Sequence, residues 1–403
     1  MGHNLQVAKT FFSVQAFGWT FFLCPALFAN AMAEPYVPKA GTQVLERLAT
    51  RNDPVQRELS AARQKLHQSP ENVALATDLA RRYISLARTH ADPRYLGYAH
   101  GVLAPWWAQA RPPSAVLVLR ATILQSTHRF AEARADLDLL LSIDRHNAQA
   151  LLTRATVLQV QGNFDEAKKS CAQLYGIATD LIVRTCLASA SNVSGGARAS
   201  YASLKSALES STQAAPDVQI WALTLLAEMA SRMGNTAAAE MHFKDAFSLT
   251  RTDSYLLGAY ADFLLNAGRY TAVVALLKDQ TRADALLLRY ALALDALRAP
   301  EALHAVSILR DRFEASLLRG DTVHQREQSR FELQLMKNPT RALQLAQANW
   351  MVQKEPADAR ILLEAAVGAA DKSAAQPLLA WLSASGMEDV TLDRLKIALA
   401  KLP

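Results

Sequence analysis

The feature that most constrains this chain is a repeat. Residues 119–133 (LRATILQSTHRFAEA) and 153–167 (TRATVLQVQGNFDEA) align without gaps at an offset of 34. Arg120/Arg154, Ala121/Ala155, Thr122/Thr156, Leu124/Leu158, Gln125/Gln159, Phe130/Phe164, Glu132/Glu166 and Ala133/Ala167 are identical pairs. A chain repeating at this period stacks one small unit on the next, so it needs no single large core. Leu117, Leu124, Leu137 and Leu140 keep helical spacing. Composition fits helices packed on helices. Apolar residues make up 51% of the 403-residue chain, mostly the strong helix formers Ala and Leu, and aromatics only 7%. The 15 Pro and 15 Gly are too few to break many helices.

The repeated unit has a further internal order. A small residue, a turn glycine, an aromatic two positions on and an alanine follow one another as Ala155, Gly162, Phe164 and Ala167. One unit earlier they are Ala121, His128, Phe130 and Ala133, with His in place of the turn Gly. The pattern returns at Ala227, Gly234 and Ala239, with Thr236 where the aromatic belongs, and at Ala261, Gly268 and Tyr270, with Val273 for the alanine. A degenerate copy lies between them at Gly195-Gly196, Tyr201 and Ala207-Leu208. This pattern resembles the tetratricopeptide repeat, specifically over about 115–180 and 220–280. The resemblance implies an all-α fold, a right-handed superhelix of helix–turn–helix units (an α-solenoid). Small residues let the two helices of a unit approach, and Gly accepts the left-handed turn between them.

Elsewhere the chain is helical but less regular. Residues 54–68 and 71–90 read as a helix pair, and 92–110 as a helix carrying Pro105-Trp106-Trp107. Further helices are predicted at 283–297, 301–318, 322–336, 340–353, 357–369, 373–384 and 390–401. The expected organisation is a signal peptide at 1–33, an extended leader at 34–50 and a repeat array at 51–190. An irregular Ser/Gly/Ala-rich seam at 191–216 follows, then a second array with capping helices at 217–403.

Residues 1–33 read as a secretory signal: Lys9, an apolar stretch from Phe11 to Phe28, then Ala29-Asn30-Ala31-Met32-Ala33 before Glu34-Pro35. Ser13, Gln15, Thr20 and Pro25 interrupt the stretch, which argues against a membrane anchor. Phe21-Phe22-Leu23 before Cys24 lacks the small residues of a lipoprotein signal. Cleavage after Ala33 leaves no membrane span and two cysteines, Cys171 and Cys186, in an oxidising compartment. A disulfide closing this short loop is worth roughly 3 kcal/mol at most. Two buried thiols acting as small hydrophobes are the other reading.

The charge balance, 43 Lys plus Arg against 37 Asp plus Glu, is spread along the chain without a basic block. Nucleic acid is therefore not an expected partner. No phosphate loop, zinc-ligand spacing or nucleophile elbow is present, so no catalytic residue, metal or cofactor is expected. The expected function is binding. In the tetratricopeptide family the first helix of each unit lines the concave face, which implies a protein or peptide partner at Thr122, Gln125, Thr156, Gln159, Glu228, Arg232, Asp262 and Asn266. Trp106 and Trp107 are a second candidate contact surface. The expected setting is the periplasm of a Gram-negative bacterium. The alternative is an accessory of an envelope polysaccharide or secretion system, with Trp106, Trp107, Trp221 and Tyr255 forming an aromatic groove.

Overall fold

The computed structural model describes residue 40 and residues 53–402. The expected signal peptide, with Cys24, lies outside the described residues, as does the leader at 34–50 apart from Ala40. The chain divides into two units, Met1–Gln56 and Arg57–Pro403, and the second carries the repeats. The described residues are helical and contain no strand, and no helix among them is long and apolar enough to cross a membrane.

The helices are α1 (Pro54–Gln68), α2 (Val73–His90), α3 (Arg94–Trp107), α4 (Ser114–Ser126), α5 (Phe130–Ile143), α6 (Ala148–Val160) and α7 (Phe164–Ala172). Then come α8 (Asp180–Ser191), α9 (Ala197–Ser210), α10 (Pro216–Arg232), α11 (Thr236–Leu249), α12 (Ser254–Asn266) and α13 (Tyr270–Leu277). The last are α14 (Asp284–Ala296), α15 (Glu301–Leu318), α16 (Gln325–Gln334), α17 (Pro339–Val352), α18 (Pro356–Gly368), α19 (Gln376–Ser385) and α20 (Val390–Ala400). From α2 to α16 each even-numbered helix packs on the odd-numbered helix after it, and α18 packs on α20. Each even-numbered helix also packs on the next even-numbered one. The even helices therefore form the inner layer of a tetratricopeptide-like solenoid, and the odd helices the outer. Residues 191–216, expected as an irregular seam, contain α9, which packs on α8 and α10 so that the array runs through.

Local chemistry sets the boundaries. Asn72, Asn147, Asn235, Asp253 and Asn338 cap their helices by accepting a backbone N–H with the side chain. Glu355 and Asp358 form a reciprocal capping box at the start of α18. The turn inside each pair carries a residue with positive φ. It is Gly at 162, 195, 234 and 268, but Ala91, His128, Arg298, Lys337 and Ala370 elsewhere. Those non-glycine turns hid the register of the C-terminal units from the sequence.

The solenoid winds past one full turn, and its second turn rests on its first. α12 packs against α2, where the Ser254 hydroxyl donates to the Arg88 carbonyl at 2.9 Å and Arg282 pairs with buried Asp92 at 3.0 Å. Further along, the Lys354 N–H donates to the Val160 carbonyl at 2.7 Å. Phe164 and Val193 from the first turn share a core with Trp350, Leu378 and Leu382 from the second. Later helices thus rest on earlier ones, which a short array cannot do.

Candidate binding surface on the inner helices

The identical arginines of the repeat do not face a partner. Arg120 reaches from α4 to α5, where Nε and Nη2 each donate to Asp136 at 2.6 Å. Its remaining nitrogen donates to the Trp107 and Gln109 carbonyls. One unit later Arg154 makes the same crossing, with Ser170 at the place of Asp136 and a 2.8 Å bond to its hydroxyl. Arg154 also pairs with Asp138 at 2.7 Å. Both arginines clamp the two helices of a unit together.

The positions expected to line the inner face have varied fates. The Thr122 and Thr156 hydroxyls donate to the carbonyls one turn back in their own helices, at Val118 and Leu152. Gln125 is half-buried and Asn266 exposed at the end of α12. Gln159, Glu228, Arg232 and Asp262 tie one inner helix to another. The Ser189 hydroxyl donates to Gln159 at 2.8 Å, joining α6 to α8. Arg232 donates to the side-chain amide oxygen of Asn192, joining α10 to the end of α8. The Tyr255 hydroxyl donates to both Glu228 oxygens at 3.0 and 3.1 Å, joining α12 to α10. Asp262 accepts from Arg289 of α14 and, at 2.6 Å, from Arg330 of α16. Gln334 then donates to Glu364 at 3.1 Å, joining α16 to α18. A polar ladder thus runs along the inner layer, and much of it is satisfied within the protein.

Trp106 and Trp107 require a correction. Trp106 is buried in the core of the first units, and half-buried Trp107 packs edge-on to His100 with centroids 4.2 Å apart. A tryptophan gains most by burial, and these two fill the space between α2, α3 and α4. Trp106 presents no contact surface and Trp107 is half-covered, so the expected four-ring aromatic groove lacks Trp106. Trp221 and Tyr255 remain exposed, on α10 and α12.

The electrostatics of the wall follow from its enclosure. Tyr255 is 67% exposed. Its phenol is nevertheless pushed well above its ordinary pKa by the Glu228 charge, then by crowding and by Glu355. Burial raises Glu228 as well, and Glu355 and Asp262 add to this against the pull of Arg232 and the Tyr255 hydroxyl. Burial would also raise Asp262, but Arg289 and Arg330 overcome it and hold the carboxyl well below its usual range. At the start of α18, fully buried Asp358 is pushed up to about 6, first by burial and then by Glu355, although Arg326 opposes this.

Arg289, Arg326, Arg330, Glu355 and Asp358 escaped sequence reasoning because α14 to α18 lack the turn glycine that sets the register. The one local signal was Glu355-Pro356-Ala357-Asp358, a helix-start pattern. The disulfide question is answered by contact between neighbouring units. Cys171 of α7 and Cys186 of α8 are bonded, with Cα atoms 5.5 Å apart.

No protein-family model matches this chain, and no curated protein matches it in sequence. Three-dimensional comparison finds helical neighbours at low similarity. The human IFIT1 dimer with PPP-AAAA is 14% identical, covering 88% of this chain and 86% of that one at a TM-score of 0.42. Yeast Tom70 is 12% identical, covering 87% and 92% at 0.30. Naa15/Naa10 bound to HypK-THB is 16% identical, covering 87% and 60% at 0.29.

Proposed function

We propose that this chain is an exported binding scaffold that holds a protein or peptide partner along the inner wall of its superhelix and catalyses no reaction. The observation that carries this reading is the wall itself. The inner helices α6, α10 and α12 present Thr156, Trp221, Tyr255 and Asn266 to solvent, while the polar ladder ties inner helices to one another. A preorganised wall loses little freedom when a partner binds. The signal-like residues 1–33 and the Cys171–Cys186 disulfide support an oxidising compartment, for which the Gram-negative periplasm is our assignment.

Site-specific photocrosslinking in cells tests the reading. A crosslinking residue at Thr156 or Asn266, on the inner helices, is expected to trap a discrete partner. The same residue at Lys244 or Arg310, on outer helices α11 and α15, is expected to trap none. Trapping from the outer positions alone overturns the inner-wall reading. Sequencing the exported protein is expected to give Glu34 as its first residue, and an intact Met1 overturns export by a cleaved signal.

A further inference from the structure

His128 stands at a turn where the next unit has Gly162, and it holds φ at +59°. The ring is half-buried and stacks on Phe130 with centroids 5.4 Å apart. Its Nδ1 meets the second turn of the superhelix, where the Gln353 amide nitrogen lies 3.3 Å away. The same nitrogen donates to Asn349 Oδ1 at 3.3 Å, and Asn349 Nδ2 donates to Asp358 Oδ1 at 2.8 Å. Asn349, Gln353 and Asp358 are all buried. A hydrogen-bonded chain therefore runs from a carboxyl in α18, through two amides, to an imidazole on the first turn.

Each link fixes the polarity of the next. An ionised carboxylate only accepts, so Asn349 gives Asp358 its nitrogen and offers Gln353 its oxygen. Gln353 then presents nitrogen to both Asn349 and His128. Neutral His128 must accept at Nδ1 and carry its proton on Nε2. A proton on Asp358 reverses every requirement. The acid donates to Asn349 Oδ1, the turned Asn349 donates to Gln353 Oε1, and that oxygen accepts from a His128 Nδ1–H. Turning only part of the chain sets two buried donors or two acceptors face to face, which costs more than one bond is worth.

The surroundings suit Asp358 to start the change. Burial pushes its carboxyl up, with Arg326 opposing and Glu355 assisting. Its Oδ2 accepts the Glu355 backbone N–H at 2.8 Å in either state. Arg326 gives up a 3.3 Å bond to Asp358 Oδ1 but keeps Glu355 at 2.9 Å. Around His128, burial lowers the imidazole, Arg326 and His324 add to this, and Glu327 and Glu355 oppose it. On its own side Arg129 and Glu132 pair with each other in solvent, and Lys354 runs its side chain past Gly162.

We propose that this chain is a pH-sensitive relay, in which a proton on Asp358 decides, through Asn349 and Gln353, whether His128 Nδ1 accepts or donates where the two turns meet. One proton enters from solvent at Asp358, and the His128 proton exchanges from Nε2 to Nδ1. Nε2 is then a free base, and a second proton there leaves the Gln353 bond intact. With Asp358 ionised, the same imidazolium sets Nδ1–H against the Gln353 amide. The two protons therefore enter cooperatively, and acidification is read at the contact between turns.

Nitrogen-15 NMR of the histidine-labelled full chain tests the relay. At pH 7.5 His128 is expected as the Nε2–H tautomer in the unaltered chain and as Nδ1–H in Asp358→Asn, whose amide stands in for the protonated acid. Asp358→Asn is also expected to raise the His128 midpoint by about one pH unit, a tenfold gain in proton affinity. Mere loss of a carboxylate charge moves that midpoint the other way. Gln353→Met keeps the side-chain length without the amide. In that background Asp358→Asn is expected to leave tautomer and midpoint unchanged. With carbon-13 in the aspartate carboxyls, the unaltered chain gives a readout that needs no variant. Asp358 and His128 are expected to titrate over one shared interval, with His128 steeper than a single proton allows. An unchanged tautomer or a lowered midpoint in Asp358→Asn overturns the inference, as do independent single-proton curves for the two residues.

Discussion

The backbone N–H of Lys354 donates to the carbonyl of Val160 at 2.7 Å, and this bond fastens the second turn of the solenoid to the first. Gly162, two residues beyond Val160, lies beneath the same contact. A methyl group there would meet Lys354 Cδ at 3.0 Å and Trp381 at 3.2 Å, and φ is +79°. Gly162→Ala is therefore expected to cost about 2 kcal/mol or more, from left-handed strain and from lifting one turn off the other. Chemical denaturation measures the loss. Hydrogen exchange is expected to rise in α17 to α19 as well as beside residue 162. Arg298 gives the converse case. It holds φ at +53° at an exposed turn, so Arg298→Gly is expected to gain up to about 1 kcal/mol.

Arg120 and Asp136 form a two-pronged pair with both side chains 11% exposed. Removing one partner strands the other charge away from water. Asp136→Ala is expected to cost about 3–5 kcal/mol. The equivalent Arg154 pairs with Asp138, whose side chain is 49% exposed, and otherwise bonds a neutral hydroxyl. Asp138→Ala is expected to cost less than about 1 kcal/mol. Equal losses in urea titrations of the two variants contradict this account of the repeated arginines.

Asp358 gives a pH dependence with a definite sign. Its carboxyl is pushed up from 3.8 to about 6 in the folded protein. The native state therefore binds more protons at this site than the unfolded chain between about pH 4 and 6. The associated stability is fully present below about pH 4 and is lost as pH rises through 6. Asp262 titrates below this window, because its carboxyl is held down by two arginines. His128 and His242 act in the opposite direction, since burial lowers both imidazoles. Comparison with Asp358→Asn isolates the term. The unaltered protein is expected to gain stability relative to that variant as pH falls from 7.5 to 4.5 in thermal melts. A constant difference contradicts the assignment.

The bond between Cys171 and Cys186 joins the outer helix of one unit to the inner helix of the next, at a sequence separation of 15. A closed loop of this length stabilises by about 3 kcal/mol through the unfolded state. The double variant Cys171→Ala/Cys186→Ala is expected to lose about that amount by chemical denaturation. Protein beginning at Glu34, which lacks Cys24, is expected to react with a thiol reagent only after reduction and unfolding, since both residues are buried.

The sequence by itself determined the unit. Ala121, Ala155, Gly162 and Phe164 are read locally, because close helix approach and a left-handed turn each need a particular residue type at a fixed spacing. Helix boundaries such as 301–318 followed equally directly from breakers and caps. Tertiary structure alone decided what the repeats enclose. Superhelical pitch is the sum of small rotations between units, and no single residue encodes it. Only that sum brings Lys354 under Val160 and sets Arg330 on Asp262. The same sum leaves Trp221 and Tyr255 uncovered, because whether a polar or aromatic side chain finds a partner depends on neighbours from units far away in the chain.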